Sequence, residues 1–136
     1  VTEMEQFRTS LIDHYSGQRI RISPLAFITR AVVQALKKYP NFNSSIDNKT
    51  GKLLYKKYFH IGFAVDTPHG LMVPKIRNVD DMGLKEIFEE LKRVSKLCKE
   101  LKIDKKEFFG GSMTISSLGG IGGNFFTPII LPYGGI

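Results

Sequence analysis

The stretch IGFAVDTPHGLMVP, residues 61–74, carries the strongest structural signal in the sequence. Residues 61–65 form a short apolar run, which is typical of a buried strand. Residues 66–70 combine Asp, Pro and Gly in the manner of a tight turn. Residues 71–76 return as another strand, in which Pro74 predicts an edge position or a bulge. The stretch therefore predicts two strands joined by a turn.

Helical patterns lie on both sides of this stretch. Residues 84–101 form the clearest amphipathic helix, and residues 3–16 predict a shorter one. A third helix begins at Ser23-Pro24, a favourable N-cap followed by proline, and ends before Pro40. Its apolar face is predicted to consist of Leu25, Ile28, Val32, Ala35 and Leu36.

Further strands complete the pattern. Residues 53–59 and 112–118 are predicted strands, and the second is followed by a glycine-rich loop at 119–123 and an apolar segment at 124–131. Helices and strands are mixed rather than strictly alternating along the chain. The order predicts an α+β or α/β fold with a mixed sheet.

Composition narrows the class of protein. With 136 residues, of which 42% are hydrophobic, the chain is expected to form one packed domain. The net charge of +7 favours an acidic partner, such as nucleic acid, an anionic membrane or a phosphorylated small molecule. A single cysteine, Cys98, excludes an internal disulfide, and with three separated histidines it predicts no metal site. No apolar run is long enough to span a bilayer, so no membrane contact is expected.

The residues alone leave the chemistry open. The glycine loop lacks the helix start and the Lys-Ser or Lys-Thr pair of a phosphate loop. No Ser-His-Asp triad can be assigned to His14, His60 or His69, although the turn position of His69 makes it the best candidate. Two roles remain open for the hydroxyl groups of residues 114–117: they satisfy backbone groups, or they donate to an oxyanion. Mixed charge on the long basic helix disfavours nucleic-acid binding.

Several motifs together resemble the catalytic domain of the dihydrolipoyl acyltransferases, the core components of the 2-oxoacid dehydrogenase complexes. Their order and spacing agree over nearly the whole chain. The matching stretches are SPLAF at 23–27, PNFNSSID at 40–47, LYK at 54–56, the central motif at 61–74, GGSMTISSLGGIGG at 110–123 and FTPII at 126–130. The ending Ile130-Leu131-Pro132 resembles the branched-chain member.

This resemblance implies a chloramphenicol-acetyltransferase-like fold, in which a mixed sheet is flanked by helices. It also implies transfer of an acyl group between dihydrolipoyl and coenzyme A thiols, in a channel between two subunits. Homotrimers would build a large oligomeric core that binds the dehydrogenase and dihydrolipoamide dehydrogenase components. The lipoyl group would be carried on a domain absent from this chain. A mitochondrial matrix location is expected for a eukaryotic source, and the cytoplasm for a bacterial one.

The resemblance also implies roles for particular residues. Ser116 corresponds to the hydroxyl that stabilises the tetrahedral oxyanion, and Asp66 to a carboxylate that organises the active site. His69, Phe126 and Thr127 correspond to positions expected to bind coenzyme A. The phosphates of coenzyme A would be a natural partner for the positive charge of the chain.

One departure from the family pattern is expected to matter. The family's general base is the histidine of a His-x-x-x-Asp-Gly motif, which this sequence does not contain. Residues 1–136 are therefore interpreted as a partial catalytic domain, truncated before that motif and inactive by itself. Two alternatives remain: a non-catalytic, core-forming subunit of the same fold, and a basic nucleic-acid-binding domain.

Overall fold

Helices form two of the layers that enclose the core. The structure, a computed structural model, describes residues 1–119 and 122–128. Within those residues the α-helices are α1 (Thr2–Ser10), α2 (Pro24–Lys38) and α3 (Leu84–Lys99). Short 3₁₀ turns lie at Pro40–Asn43, Val79–Asp81 and Lys105–Phe108. Among these described residues, no helix is both long and apolar enough to cross a membrane.

Short strands form the rest of the regular structure. They are β1 (Ser44–Asp47), β2 (Lys52–Tyr55), β3 (Ile61–Phe63), β4 (Val65–Thr67), β5 (Gly70–Met72), β6 (Lys75–Ile76) and β7 (Met113–Ile115). The central sheet has the order β6-β3-β7, while β1 with β2 and β4 with β5 form antiparallel pairs. Strand β3 is antiparallel to β6 and parallel to β7, which confirms the mixed sheet.

The central stretch forms strands and a turn as predicted, but with other limits: the two predicted strands are divided into β3, β4, β5 and β6, and the turn predicted over residues 66–70 is limited to two residues. Strands β4 and β5 are joined by Pro68 and His69, the two residues between them. Pro74 separates β5 from β6, because proline has no N–H to donate to a ladder. Its carbonyl still accepts a hydrogen bond from the Phe63 N–H at 3.0 Å, so the chain stays attached to the central sheet across the break.

The limits of α2 are confirmed, but its predicted buried face is only partly right: Leu36 is buried and Leu25 and Val32 are half-buried, whereas Ile28 and Ala35 are exposed. The buried side chains are Ala26, Thr29, Val33 and Leu36. Ile28, from the predicted face, is 44% exposed. The hydroxyl of Thr29 donates to the Leu25 carbonyl at 2.7 Å, so this polar residue is buried without an unsatisfied donor. That local bond is why the buried face includes Thr29 where apolar periodicity predicts Ile28.

Helix α1 is shorter than the predicted 3–16. It ends at Ser10, because Leu11 is already extended and Asp13 organises a turn. The Asp13 carboxylate accepts hydrogen bonds from the N–H groups of Tyr15 and Ser16. Such local bonds compete with the helix for the backbone donors.

Two predicted strands near the end of the described region also differ. Strand β7 stops at Ile115, and the Ser117 hydroxyl then accepts a bond from the Gly119 N–H at 3.2 Å, which closes a turn. Residues 124–128 are not a strand, and residues 129–131 of that predicted segment lie outside the described part of the chain. Strand β2 ends at Tyr55 rather than continuing to Phe59.

The core lies between the two long helices and one face of the central sheet. Helix α2 contacts α3, and α3 contacts β4 and β6. This arrangement buries apolar side chains from every layer, and such burial is the main favourable term in folding. The buried cluster consists of Ile22, Ala26, Val33, Leu36, Ile61, Phe63, Ile76, Val79, Ile87, Val94 and Cys98.

Candidate active site

The parallel strands β3 and β7 bring two predicted site residues to one edge of the sheet. Phe63 is paired with Ile115, and the Ala64 N–H donates to the Ile115 carbonyl at 3.2 Å. Ser116 follows Ile115 directly, and Asp66 lies two residues beyond Ala64. Ser116 lies one residue beyond the end of β7 and Asp66 three residues beyond the end of β3, so both follow the same end of the parallel pair, and both residues are exposed.

Asp66 also lines a groove between β4 and α3. The groove has a volume of about 970 Å³, and within the described residues Asp66 is the only predicted site residue among those that line it. Its apolar lining includes Phe63, Phe88 and Leu91, while Lys92 and Lys96 of α3 add positive charge. Glu89 and Glu100 line the groove as well, so it combines apolar side chains with charges of both signs.

His69 occupies the turn between β4 and β5. The Thr67 hydroxyl donates to the Gly70 carbonyl at 2.7 Å and accepts from the His69 N–H at 3.1 Å. These two bonds fix the backbone of the turn, while the His69 residue remains exposed. His69 is thus held three residues beyond Asp66, at the tip of the same hairpin.

Phe126 and Thr127 lie on the exposed segment 122–128 that follows β7. The Gly122 N–H donates to the Leu118 carbonyl at 2.7 Å, which turns the chain shortly after Ser116. Phe126 is 46% exposed and Thr127 is also exposed. The structure does not bring either residue into the groove lined by Asp66.

A buried polar cluster that the sequence interpretation missed lies in the central sheet. Gly62 is paired with Lys75 on one side and with Thr114 on the other. A Cβ atom on Gly62 would lie 2.9 Å from Thr114 Oγ1 and 3.2 Å from Lys75 Nζ. The lysine amine and the threonine hydroxyl therefore converge on the space that a glycine leaves free. We call these three residues the Lys75 cluster.

The environment of Lys75 is unusual for a lysine. The residue is only 3% exposed, and its Nζ donates to the Val73 carbonyl at 3.2 Å. Burial lowers the pKa of the Lys75 amine, and the positive charge of Arg77 lowers it further. The one sequence signal was a lysine placed between Pro74 and Ile76, in an otherwise apolar run.

The surroundings of Thr114 bear on whether the hydroxyl groups of residues 114–117 satisfy backbone groups. Its buried Oγ1 has no hydrogen-bond partner among residues 1–119 and 122–128. Ser112, by contrast, is fully used: its hydroxyl accepts from the His60 N–H and donates to the Tyr58 carbonyl. Satisfying backbone groups therefore explains Ser112 but does not explain Thr114.

His60 has a structural environment rather than one suited to proton transfer. Its Nδ1 accepts the Asn78 N–H at 3.0 Å, and its ring stacks on Tyr58 with the ring centres 4.4 Å apart. Burial, and then the charge of Arg77, lower the pKa of the imidazole. The described residues contain no group of three or more His, Cys, Asp or Glu side chains suited to a metal ion.

The chain has a mixed sheet flanked by helices and a serine just after the end of its parallel strands. Comparison with solved structures shows that this is the α+β fold of an acyltransferase domain. The dihydrolipoamide acetyltransferase of Azotobacter vinelandii matches with a TM-score of 0.88 and 41% identity, over 96% of this chain and 54% of that one. The probable dihydrolipoamide acetyltransferase of Listeria monocytogenes matches with a TM-score of 0.82 and 26% identity, over 93% of this chain and 54% of that one.

The model of the 2-oxoacid dehydrogenases acyltransferase (catalytic domain) family matches residues 1–135. The chain therefore belongs to this family. It is 48% identical over 130 residues to the dihydrolipoyllysine-residue acetyltransferase component of the pyruvate dehydrogenase complex of Cupriavidus necator, and 46% identical over 132 residues to that of Haemophilus influenzae. Each match covers 96% of this chain and 23% of the relative.

These comparisons confirm the predicted family and the α+β fold. They do not support two finer expectations. The relatives belong to pyruvate dehydrogenase complexes rather than branched-chain ones, and they are bacterial, which gives no support to a mitochondrial matrix location.

Proposed function

We propose that this chain is part of an acyltransferase that moves an acyl group between dihydrolipoyl and coenzyme A thiols. The observation that carries the proposal is the parallel pairing of β3 and β7, which places Ser116 and Asp66 shortly after the same end of the two strands in a chain of this family. Residues 1–136 would be a part of the catalytic domain. Because the chain spans 23% of the relatives' length, the activity belongs to the whole polypeptide that contains it.

Ser116 would act as the hydrogen-bond donor to the reacting carbonyl. When a thiolate attacks a thioester, a new C–S bond forms and an electron pair moves onto the carbonyl oxygen. That pair returns as the older C–S bond breaks, and the released thiolate takes up a proton. A donor held at the oxygen before the reaction stabilises its transient negative charge, and removing such a donor typically costs about 10²–10³ in rate.

The structure offers a reason why Ser116 could be held in place. It follows Ile115, whose carbonyl is bonded to the Ala64 N–H, so its backbone is anchored to the neighbouring strand. One solved relative was studied for the roles of a serine, a histidine and an asparagine in its catalytic mechanism. Ser116 would be the serine of that set, whereas the histidine motif of the family is not present in this sequence.

Asp66 would organise the site from the neighbouring strand. It lies at the centre of β4, paired with Leu71, and an ionised carboxylate can only accept hydrogen bonds. The antiparallel pairing with β5 therefore fixes the backbone position of this acceptor. This pairing suits an orienting role better than a direct chemical one.

Coenzyme A would be bound as a substrate by exposed residues near this edge. The residues present fit its chemistry: Phe126 offers an exposed ring, Thr127 a hydroxyl and His69 a ring with two nitrogens. The +7 charge of the chain suits its phosphates. When bound, coenzyme A supplies one of the two thiols, and the lipoyl group, carried on another domain, supplies the second.

The relatives support proposals for the assembly and the location. A structure described as the cubic core of the pyruvate dehydrogenase multienzyme complex matches this chain with a TM-score of 0.88 and 41% identity. We extend this to a core built of homotrimers that binds the dehydrogenase and dihydrolipoamide dehydrogenase components. The bacterial relatives favour the cytoplasm, and their names favour an acetyl group.

Acyl transfer to dihydrolipoamide tests the proposal. The whole polypeptide that carries this chain should transfer the acetyl group of acetyl-coenzyme A and should prefer it to isobutyryl-coenzyme A. A preference for isobutyryl would overturn the acetyl assignment and restore the branched-chain one. No transfer from either thioester, by a folded and assembled protein, would overturn the proposed activity.

A further inference from the structure

The Lys75 cluster lies on a particular face of the central sheet. Alternate residues of a strand point to opposite faces, so Thr114 is on the face opposite to Met113 and Ile115. Ser116 follows Thr114 by two residues, just beyond the end of β7. The cluster therefore lies next to the segment that carries the proposed oxyanion donor.

Hydrogen-bond donors exceed acceptors in this cluster. An ammonium group has three N–H donors, and Val73 O is the one acceptor recorded for Lys75 among the described residues. The nearby Thr114 hydroxyl has no partner in the same part of the chain. Buried charge is normally paired, because burying it alone is costly. A cluster with surplus donors is suited to stabilise negative charge.

We propose that Lys75 is a positioning residue of the acyl transfer, whose buried ammonium reaches over Gly62 towards Thr114 and favours negative charge at the oxygen bound by Ser116. This inference rests on the proposed function. Lys75 keeps its protons throughout the reaction and makes no bond to the substrate. Its contribution is a fixed positive charge near the developing negative charge, where it needs no reorganisation during the reaction.

The surroundings of Lys75 explain why the charge is available. Strands β3 and β7 place Gly62 and Thr114 beside it, and neither carries a charge. Arg77, on the chain just after β6, is the cation whose field reaches Lys75. Glu107 of the adjoining 3₁₀ turn is paired with Arg77 Nε at 3.4 Å. Helix α3 contacts β6 and has the buried residues Ile87, Val94 and Cys98. These pack in one core with Ile76, so α3 lies on the side of the sheet opposite to Lys75.

The test is the Lys75→Met variant of the whole polypeptide, which retains the length of the side chain and removes its charge. At neutral pH, kcat/KM for acetyl transfer should fall about ten-fold, since a unit charge several Å away is worth about one factor of ten. The amine of the native protein loses its proton as pH rises through its lowered pKa. The ratio of wild-type to variant activity should therefore approach one at alkaline pH.

Two further measurements separate this role from a structural one. The urea-unfolding midpoint of Lys75→Met should be unchanged or higher, because a buried charge has been replaced by an apolar group. In the Lys75→Arg variant, which stays charged at high pH, the activity ratio should not change with pH.

Equal activity of Lys75→Met and wild type at every pH would overturn the proposal. So would a loss that is independent of pH and accompanied by lower stability, because that pattern describes a packing residue. A wild-type protein that transfers no acetyl group would overturn both this inference and the proposed function. An active wild type with an unaffected Lys75→Met variant would overturn this inference alone.

Discussion

The two faces of the central sheet bury different chemistry on the same three strands. On the helix side, Ile61 is paired with Ile76 and Met113, and it is fully buried against the core. On the other side, the next residue, Gly62, is paired with Lys75 and Thr114. A shift of one residue along each strand changes the environment from aliphatic to cationic and hydroxylic.

This difference separates what holds the domain together from what the site requires. The aliphatic face contributes stability through burial of apolar area. The polar face buries a lysine with a single carbonyl partner among the described residues, an arrangement that costs stability. Residues retained at a cost in stability are expected where a site needs a fixed charge.

Truncation on the aliphatic face should have the largest effect on stability. Ile61→Ala should lower the free energy of unfolding by about 2–5 kcal/mol, because it leaves a cavity among fully buried neighbours. Urea denaturation measures this loss. Ile46→Ala is the matched control, since Ile46 is 69% exposed and its loss should stay within about 0.5 kcal/mol. Equal losses for both variants would contradict the assignment of the core.

Filling the space over Gly62 should have a smaller but clear effect. In Gly62→Ala the new methyl group would lie 2.9 Å from Thr114 Oγ1 and 3.0 Å from Lys75 Cδ, and overpacking of this kind costs about 1–3 kcal/mol. Repeating the change in a Thr114→Ala background removes the nearest contact, so the cost should fall. The double-mutant cycle measures that coupling, and a cost that is the same in both backgrounds would rule out this contact as the cause.

The smallest effect is expected from His60, at the border between the two regions. Its pKa is lowered in the folded state, so the unfolded chain takes up a proton more readily. Its contribution to stability is therefore complete above the unfolded pKa of about 6.5, and it decreases as pH falls below that value. Urea midpoints between pH 7.5 and 5 should decline less in His60→Gln than in wild type.

The control for this experiment is His69→Gln, at an exposed position. The urea midpoint of this variant should decline between pH 7.5 and 5 as much as that of the wild type. If His60→Gln and wild type lose stability in parallel over this range, the buried imidazole is not the source of the pH dependence.

Much of the architecture was predictable from the sequence, because the signals involved are local. Ser23-Pro24 fixes the start of α2, and Pro74 separates β5 from β6. The turn that contains Pro68 and His69 was predictable because Asp, Pro and Gly occur together in residues 66–70. The site residues Ser116 and Asp66 could be proposed because the family motifs that contain them are themselves continuous stretches.

The Lys75 cluster could not be predicted in the same way, because it depends on strand register. Lys75, Gly62 and Thr114 are far apart in the sequence and meet only when β6 and β7 pair with opposite edges of β3. The buried face of α2 was mispredicted for a related reason. A local hydrogen bond let Thr29 be buried, and the periodicity of apolar residues contains no information about such a bond.

The most direct test of the central claim compares two adjacent serines in acetyl transfer by the whole polypeptide. Ser116→Ala should lower kcat by about 10²–10³, as expected for loss of a donor to the oxyanion. Ser117→Ala removes a hydroxyl that accepts the Gly119 N–H in a surface turn, and it should retain a rate near that of wild type. If Ser116→Ala keeps the wild-type rate, or if both variants lose activity equally, the edge of β3 and β7 is not the site of acyl transfer.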